Sequence, residues 1–322
     1  MNLFRKHWLR TISAGVVTLV CGTSWAAAPM QNFQAAGFYR MMLGRFEITA
    51  LHDGIIDLEP GEVLTNTNPK SVHNALTASF QGRVIPTSVN AFLVNTGDKL
   101  ILIDSGTGSS GIFGPNLGQL LKNLKASGYS PEQVDEVYIT HVHPDHVGGL
   151  LTPTGLAFQN ADIRVDRREL TYWTDSEQAK KIPEVQRPFF ALAESSLKPY
   201  QEVGRLKPFD GNVELISGIQ AISAVGHTRG HTVYKVTSEG HQLVVWGDVM
   251  HVGAIQFPQP QVTFVFDGDS STAAKARKKV FSEVAKDRAI VAAAHQPFPG
   301  LGHLKRSGTG YQFIPYPYDG VR

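Results

Sequence analysis

The 322-residue chain has one cysteine, Cys21, so it can form neither an intrachain disulfide nor a thiolate-rich zinc site. It has little charge of either sign in excess, with 30 Lys and Arg against 28 Asp and Glu and a net +2. That balance gives no support to a nucleic acid or other polyanion as partner. Its 31 glycines and 18 prolines are too few for a collagen-like or low-complexity chain. Long apolar runs are also missing: the longest falls short of the ~20 residues a spanning helix needs. What the chain does have is histidine, twelve in all. With thiolates absent, any metal chemistry must use imidazoles and carboxylates.

The N-terminus reads as an export signal. MNLFRKHWLR carries Arg5, Lys6 and Arg10, TISAGVVTLVCGTSW is uncharged and largely apolar, and Ala26, Ala27 and Ala28 follow. A basic start, an apolar middle and a small-residue exit mark a cleaved secretory signal. Thr18, Leu19 and Val20 lack the small residue expected ahead of a lipid-attached cysteine, so Cys21 is not read as an anchor. No Arg-Arg pair is present within residues 1–28, which favours export before folding. We therefore expect residues 1–28 to be a cleaved signal peptide, giving a periplasmic or secreted protein with no membrane span after cleavage. Residues 29–322 are expected to form a single domain. Cleavage would remove three basic and no acidic residues, leaving 27 against 28 and a charge of −1. It would also remove His7 and Cys21.

Beyond Ala28 there is no repeat or obvious linker. FEITALHDG, NAFLVNTG and KLILIDSG read as strands closed by glycine-containing turns. NLGQLLKNLKASG predicts a helix with Leu117, Leu120, Leu121 and Leu124 on one face, ended by Gly128. VDEVYIT is a buried-strand pattern. HTVYKVTSEG and HQLVVWGD predict a strand pair, and STAAKARKKVFSEVAKD a helix capped by Ser270 or Ser271. Pro183 and Pro188 interrupt the helical pattern between Arg167 and Lys198. Strands preceding helices in two similar halves imply a mixed layered fold.

The most informative segment is His141-Val142-His143-Pro144-Asp145-His146, followed by Val147-Gly148-Gly149. Three imidazoles and a carboxylate fall within six positions. Helical metal pairs are usually spaced i, i+4. Here the first pair is i, i+2 and Pro144 argues against a helix, so the cluster is expected in a loop after the VDEVYIT strand. A solvated histidine-rich loop would explain one stray histidine, not four ligand-type residues together. Nitrogen and oxygen donors suit zinc, iron or manganese alike.

This His-x-His-x-Asp-His pattern resembles that of the metallo-β-lactamase superfamily. Gly226-His227-Thr228-Arg229-Gly230-His231, Trp246-Gly247-Asp248 and the His295 that ends AIVAAAH are similar to its later motifs, in order. Asp104 in LILIDSG matches its early strand-end acid, which braces the metal loop from behind. FYRMMLGRFEITALHDG, FGPNLG, GYSPEQVDEVYITHVHPDHVGGL and FPGLGH resemble more narrowly the methyl parathion hydrolase-like branch of lactonases, arylesterases and phosphotriesterases. Arg229 departs from the family, which usually has proline there.

The resemblance implies a four-layer αββα sandwich and two metal sites. One would use His141, His143 and His227, the other Asp145, His146 and His295, with Asp248 bridging. The cofactor expected is a pair of divalent ions, zinc first, with manganese, iron or cobalt as substitutes. Such a pair can hold a hydroxide for attack and polarise the oxygen under attack. Asp145 and Asp248 would be catalytic, relaying a proton to the leaving group. Phe113, Trp173, one of Phe189 and Phe190, His251, Phe264 and Phe266 would line the substrate pocket. His231 is expected to hold no metal, and His52 and His303 to make structural hydrogen bonds. The implied reaction is hydrolysis of a small uncharged lactone or aryl ester, with phosphotriester hydrolysis as the alternative. A β-lactamase is less well supported, because such enzymes lack the bridging Asp. A metal-free, non-enzymatic relative would not need all seven ligands. The family further suggests a homodimer.

Overall fold

The computed structural model describes residues 28–318. The expected signal, apart from Ala28, lies outside the described residues. Among those described, no helix is long and apolar enough to cross a membrane.

Alternating burial in Phe38–Leu43 and a turn at Gly44 start a six-stranded sheet. Its order is Phe38–Leu43, Phe46–Leu58, Ile85–Asn95, Leu100–Ile103, Glu136–Tyr138 and Asp162–Arg164. The first three pairings are antiparallel and the last two parallel. The second sheet has seven strands: Val213–Ile216, Ile219–Ser223, Thr232–Ser238, His241–Val245, Ile290–Ala292, Leu301–Ser307 and Gly310–Pro315. Only His241–Val245 and Ile290–Ala292 run parallel. In both sheets spatial order follows chain order.

Inward residues of the two sheets share one core. Ile48, Phe92, Ile101 and Tyr138 from the first meet Ala221, Tyr234, Val236 and Val245 from the second. Tyr138 and Tyr234 lie with ring centroids 5.4 Å apart, and the Tyr234 hydroxyl donates to the Ile139 carbonyl at 2.7 Å. The outer face of the first sheet packs Leu93, Leu102 and Val137 against Leu120, Leu124, Leu197 and Tyr200 of its helices. The outer face of the second packs Val233, Val244 and Val291 on Val280, Phe281 and Val284 of the helix Ser270–Asp287. Helix, sheet, sheet and helix make the αββα sandwich that the resemblance implies.

Four local expectations change. Pro144 does not exclude a helix: it occupies the first turn of Pro144–Val147, where its missing N–H has no partner to lose. The long C-terminal helix is capped by Asp269, not by Ser270 or Ser271, because the Asp269 carboxylate reaches the Thr272 N–H at 2.9 Å. Pro188 likewise opens the helix Arg187–Glu202. The leucine helix starts later than the periodicity suggests, at Leu120, since Gly118 before it has φ +80°.

The parallel pairs bring several carboxyl ends of strands to one edge. Asp104 follows Leu100–Ile103, the first histidine cluster follows Glu136–Tyr138, Asp248 follows His241–Val245, and His295 follows Ile290–Ala292. The Thr232 N–H donates to the Thr140 carbonyl at 2.9 Å, tying the two sheets together beside these loops.

Candidate metal centre

Extended backbone at His143 puts positions i and i+2 on the same side. His141 and His143 therefore face the centre, while Val142 between them is buried in the core. The following helical turn swings Asp145 and His146 inward. It needs Gly149, where a Cβ would stand 1.9 Å from the Ser105 carbonyl oxygen. Gly247 has φ +53°, and a Cβ there would approach His231 Nε2 at 2.8 Å. Glycine at these two positions lets loops from both sheets close on one another.

The loops assemble two buried groups of ligand-type side chains. His141, His143, His227 and Asp248 form one, and Asp145, His146, Asp248 and His295 the other. Within each, one ligand atom per residue lies within 4.8 Å of all the others. Asp248 belongs to both: its Oδ2 is 3.2 Å from His227 Nε2, and its Oδ1 is 3.0 Å from His295 Nε2. His143 Nδ1 lies 3.0 Å from His141 Nε2 and 3.1 Å from His227 Nε2.

This donor set fits a pair of divalent ions. His146 Nε2 and Asp248 Oδ1 are buried 3.1 Å apart, and neither has a hydrogen-bond partner among the described residues. Orphaned buried atoms are costly unless something compensates them, and a cation between them would do so. Burial holds His141 and His143 well below the usual histidine range, in the neutral state that binds metal. Burial also opposes charge on His146, yet Asp248, Asp145 and Asp104 outweigh it and raise its pKa well above the usual range. Burial would raise the Asp145 carboxyl, but His146 and His295 bring it down to about 2. The electrostatics of the cavity thus call for positive charge.

Around the ligands stands a layer of orienting groups. Asp104, in the left-handed region at φ +63°, accepts from Thr140 N–H at 2.8 Å and Thr140 Oγ1 at 2.8 Å, and lies 2.8 Å from His146 Nδ1. His231 is absent from both groups; its Nε2 accepts the Asp248 N–H at 3.0 Å, and burial pushes its pKa down to about 3. His52 and His303 also lie outside the two groups, and His303 Nδ1 is 3.2 Å from the Ala289 carbonyl.

Three partners were not foreseen. Asp267 Oδ1 is 2.9 Å from His227 Nδ1, while its Oδ2 accepts the Phe264 N–H at 2.9 Å. Arg277, buried in the long helix, lies 4.0 Å from Asp267 and donates to the carbonyls of Val249, Pro260 and Val262. Burial lowers its pKa to about 10. Glu169 accepts from the N–H groups of Val142, Gly230 and the Trp173 indole. It thereby joins the loop of His141 to that of His227. Each is a single acid or base with at least one partner 28 or more residues away in sequence.

A cavity of about 210 Å³ opens over both groups. Its walls include Phe113, Phe189, Phe264 and Phe266, with His251 stacked on Phe264 at 4.0 Å. Ile56, Leu58 and Thr87, which the sequence did not suggest, complete it. Trp173 lies beside His143 and lines an adjoining cavity of about 440 Å³. Phe190 faces neither and packs on Trp173, ring centroids 4.6 Å apart.

A model of the metallo-beta-lactamase superfamily matches residues 84–295. The chain belongs to that superfamily. Among solved members, a hydrolase named AbOPH shares 38% identity and a TM-score of 0.84, covering 89% of this chain and 100% of its own. AidC, a dizinc quorum-quenching lactonase in complex with the product N-hexanoyl-L-homoserine, shares 32% identity over 88% of this chain and 99% of its own, with a TM-score of 0.82. An N-acyl homoserine lactonase of Bacillus cereus is 26% identical over 242 residues, 70% of this chain and 86% of that protein. With its two His/Asp groups, this superfamily member is a metal-dependent hydrolase with a dinuclear divalent-metal centre, zinc being the metal of its AidC relative.

Proposed function

We propose that the protein hydrolyses lactones or aryl esters. The observation that carries this reading is the small cavity lying directly on the two metal groups, its remaining walls built mainly from four phenylalanines, Ile56 and Leu58. Such a cavity suits an uncharged acyl or aryl body, with a few polar groups fixing the scissile carbonyl. The likeness to AidC and to the Bacillus cereus lactonase supports it.

Two divalent ions bound here would supply Lewis acidity and lower the pKa of a water. His141, His143 and His227 would hold one, and Asp145, His146 and His295 the other, with Asp248 shared. The chain's own residues do the rest. Phe113, Phe189, Phe264 and Phe266 desolvate the substrate body and exclude bulk water from the carbonyl. The proton released as the ester is attacked would be taken up by one carboxylate, Asp248, whose Oδ2 lies 3.0 Å from His251 Nε2, or Asp145 at the cavity wall, and passed from that same carboxylate to the departing oxygen. His251, which burial holds down to about 4, is a neutral hydrogen-bonding wall group.

Phosphotriester hydrolysis is the second reading, since an apolar aromatic pocket also fits a dialkyl aryl phosphate. Export through residues 1–28 and assembly as a homodimer belong to the same proposal. Cell fractionation and light scattering check them. The deciding experiment loads residues 29–322 with zinc and compares kcat/KM for an aryl lactone, an N-acyl homoserine lactone, methyl parathion and a carbapenem. A lactone or ester should lead, and His143→Ala should abolish turnover. Dominance of methyl parathion would overturn the substrate ranking; an active His143→Ala variant would overturn the mechanism.

A further inference from the structure

We infer that the cavity adjoining the metal centre is a subsite for a carboxylate carried by the substrate, and that Arg229 is the residue that recognises it. This rests on the ester or lactone reading above. The cavity, about 440 Å³, shares His143, His227, Phe189 and Phe266 with the apolar pocket over the metal groups. A substrate with its carbonyl at the centre can therefore extend into both.

The two lobes differ in character. Phenylalanines dominate the first, whereas the second adds Gln186, Thr228 and Arg229. The Arg229 guanidinium lies over the Tyr172 ring, 4.4 Å from its centroid. Stacking of this kind orients the guanidinium plane and leaves its edge N–H groups for an acceptor.

Nearby charges single this arginine out. Arg167 is paired with Asp210 at 2.9 Å and Arg168 with Asp166 at 2.7 Å. No carboxylate among the described residues pairs with Arg229. The one acid in the cavity wall, Asp269, is engaged, accepting from Ser271 Oγ at 3.0 Å and the Thr272 N–H at 2.9 Å. Asp269 keeps its charge, but it does not pair with Arg229, so this guanidinium has no acid on it among the described residues. A planar, stacked guanidinium with free edge donors matches a carboxylate better than a neutral chain end.

The zinc-loaded enzyme tests this with two matched esters, 4-nitrophenyl hexanoate and 4-nitrophenyl hydrogen adipate, whose carboxylate is too far from the ester to cleave it efficiently by itself. The carboxylate-bearing ester should have a kcat/KM about fivefold to tenfold higher, as expected for a charge-assisted contact at a partly exposed site. The preference should shrink as salt is raised. Arg229→Met should bring the ratio to about one, chiefly through KM for the adipate, Arg229→Lys should keep part of it, and Arg229→Glu should invert it. Arg229 is exposed, so these variants should fold, which circular dichroism checks. Cleavage of both esters without discrimination, or a ratio that survives Arg229→Met, overturns this inference alone. Failure to cleave either ester overturns the ester reading and takes this inference with it.

Discussion

Replacing Glu169 by glutamine should loosen the metal centre without touching a ligand. The Glu169 side chain is fully buried, and burial raises its pKa. Its Oε2 accepts from Val142 N–H at 2.9 Å and Trp173 Nε1–H at 3.0 Å, and its Oε1 from the Gly230 N–H. Glutamine keeps the shape but offers only one acceptor oxygen. Whichever way its amide turns, one side presents a donor to a donor. The lost charge-assisted bond is worth about 1.5–3 kcal/mol, and the stranded N–H adds about 1–3 kcal/mol. Part of this is offset because glutamine buries no charge, so we expect the variant to be less stable by about 2–3 kcal/mol. Val142 lies between two ligands and Gly230 follows a third by three positions. The misfit should therefore also lower metal affinity, by about 10–100-fold as for other groups that orient ligands. Urea unfolding of the metal-free protein reads the first effect, and zinc competition with a chromophoric chelator the second. Wild-type zinc affinity in Glu169→Gln would refute the idea that this carboxylate holds the two ligand loops in register.

Asp267→Asn should weaken the His141, His143 and His227 group selectively, because asparagine can present its amide rather than an acceptor to His227 Nδ1. Metal titration should then show one of two ions bound about 10–100-fold more weakly. Chelation of the wild type should lower its unfolding temperature and zinc should restore it. At a thousandfold excess over Kd each site contributes about 4 kcal/mol, so a midpoint insensitive to chelator would contradict a metal bound to the native state. Phe189→Ala should raise KM for aryl substrates by about fivefold or more, a part of the ~1.5–3 kcal/mol that burying such a ring is worth. Phe190→Ala, in contrast, should destabilise the fold by about 3–5 kcal/mol, and equal effects on KM from both would dispute their placement.

Legibility in the sequence tracks distance along the chain. His141, His143, Asp145 and His146 stand within six residues, so their spacing could be read directly, and Asp104 could be read from its place at a strand end. Alternation in FEITALHDG and NAFLVNTG was enough to place strands, and the pairing of two sheets followed from the resemblance. Glu169 and Asp267 were invisible for a physical reason. Each is one ordinary acid whose meaning depends on N–H groups or an imidazole up to 61 residues away. The choice between Phe189 and Phe190 was likewise out of reach, because only packing of the helix Arg187–Glu202 against Trp173 decides which ring faces the cavity. Pro144 misled because proline's effect depends on position: disruptive inside a helix, it is well suited to the first turn.

The pocket over the metals has two kinds of wall. Phe113 and Phe189 belong to segments that supply no ligand. Phe264 and Phe266 lie just before Asp267, the residue that holds His227 and accepts the Phe264 N–H. One side can therefore be rebuilt for a new substrate at little risk to the metal, whereas the other shares its backbone with a ligand's support. Adaptation to a different substrate should run first through Phe113 and Phe189. Changes around Phe264 and Phe266 should carry a toll in zinc retention, so variants improved there would depend most on how much metal their surroundings provide.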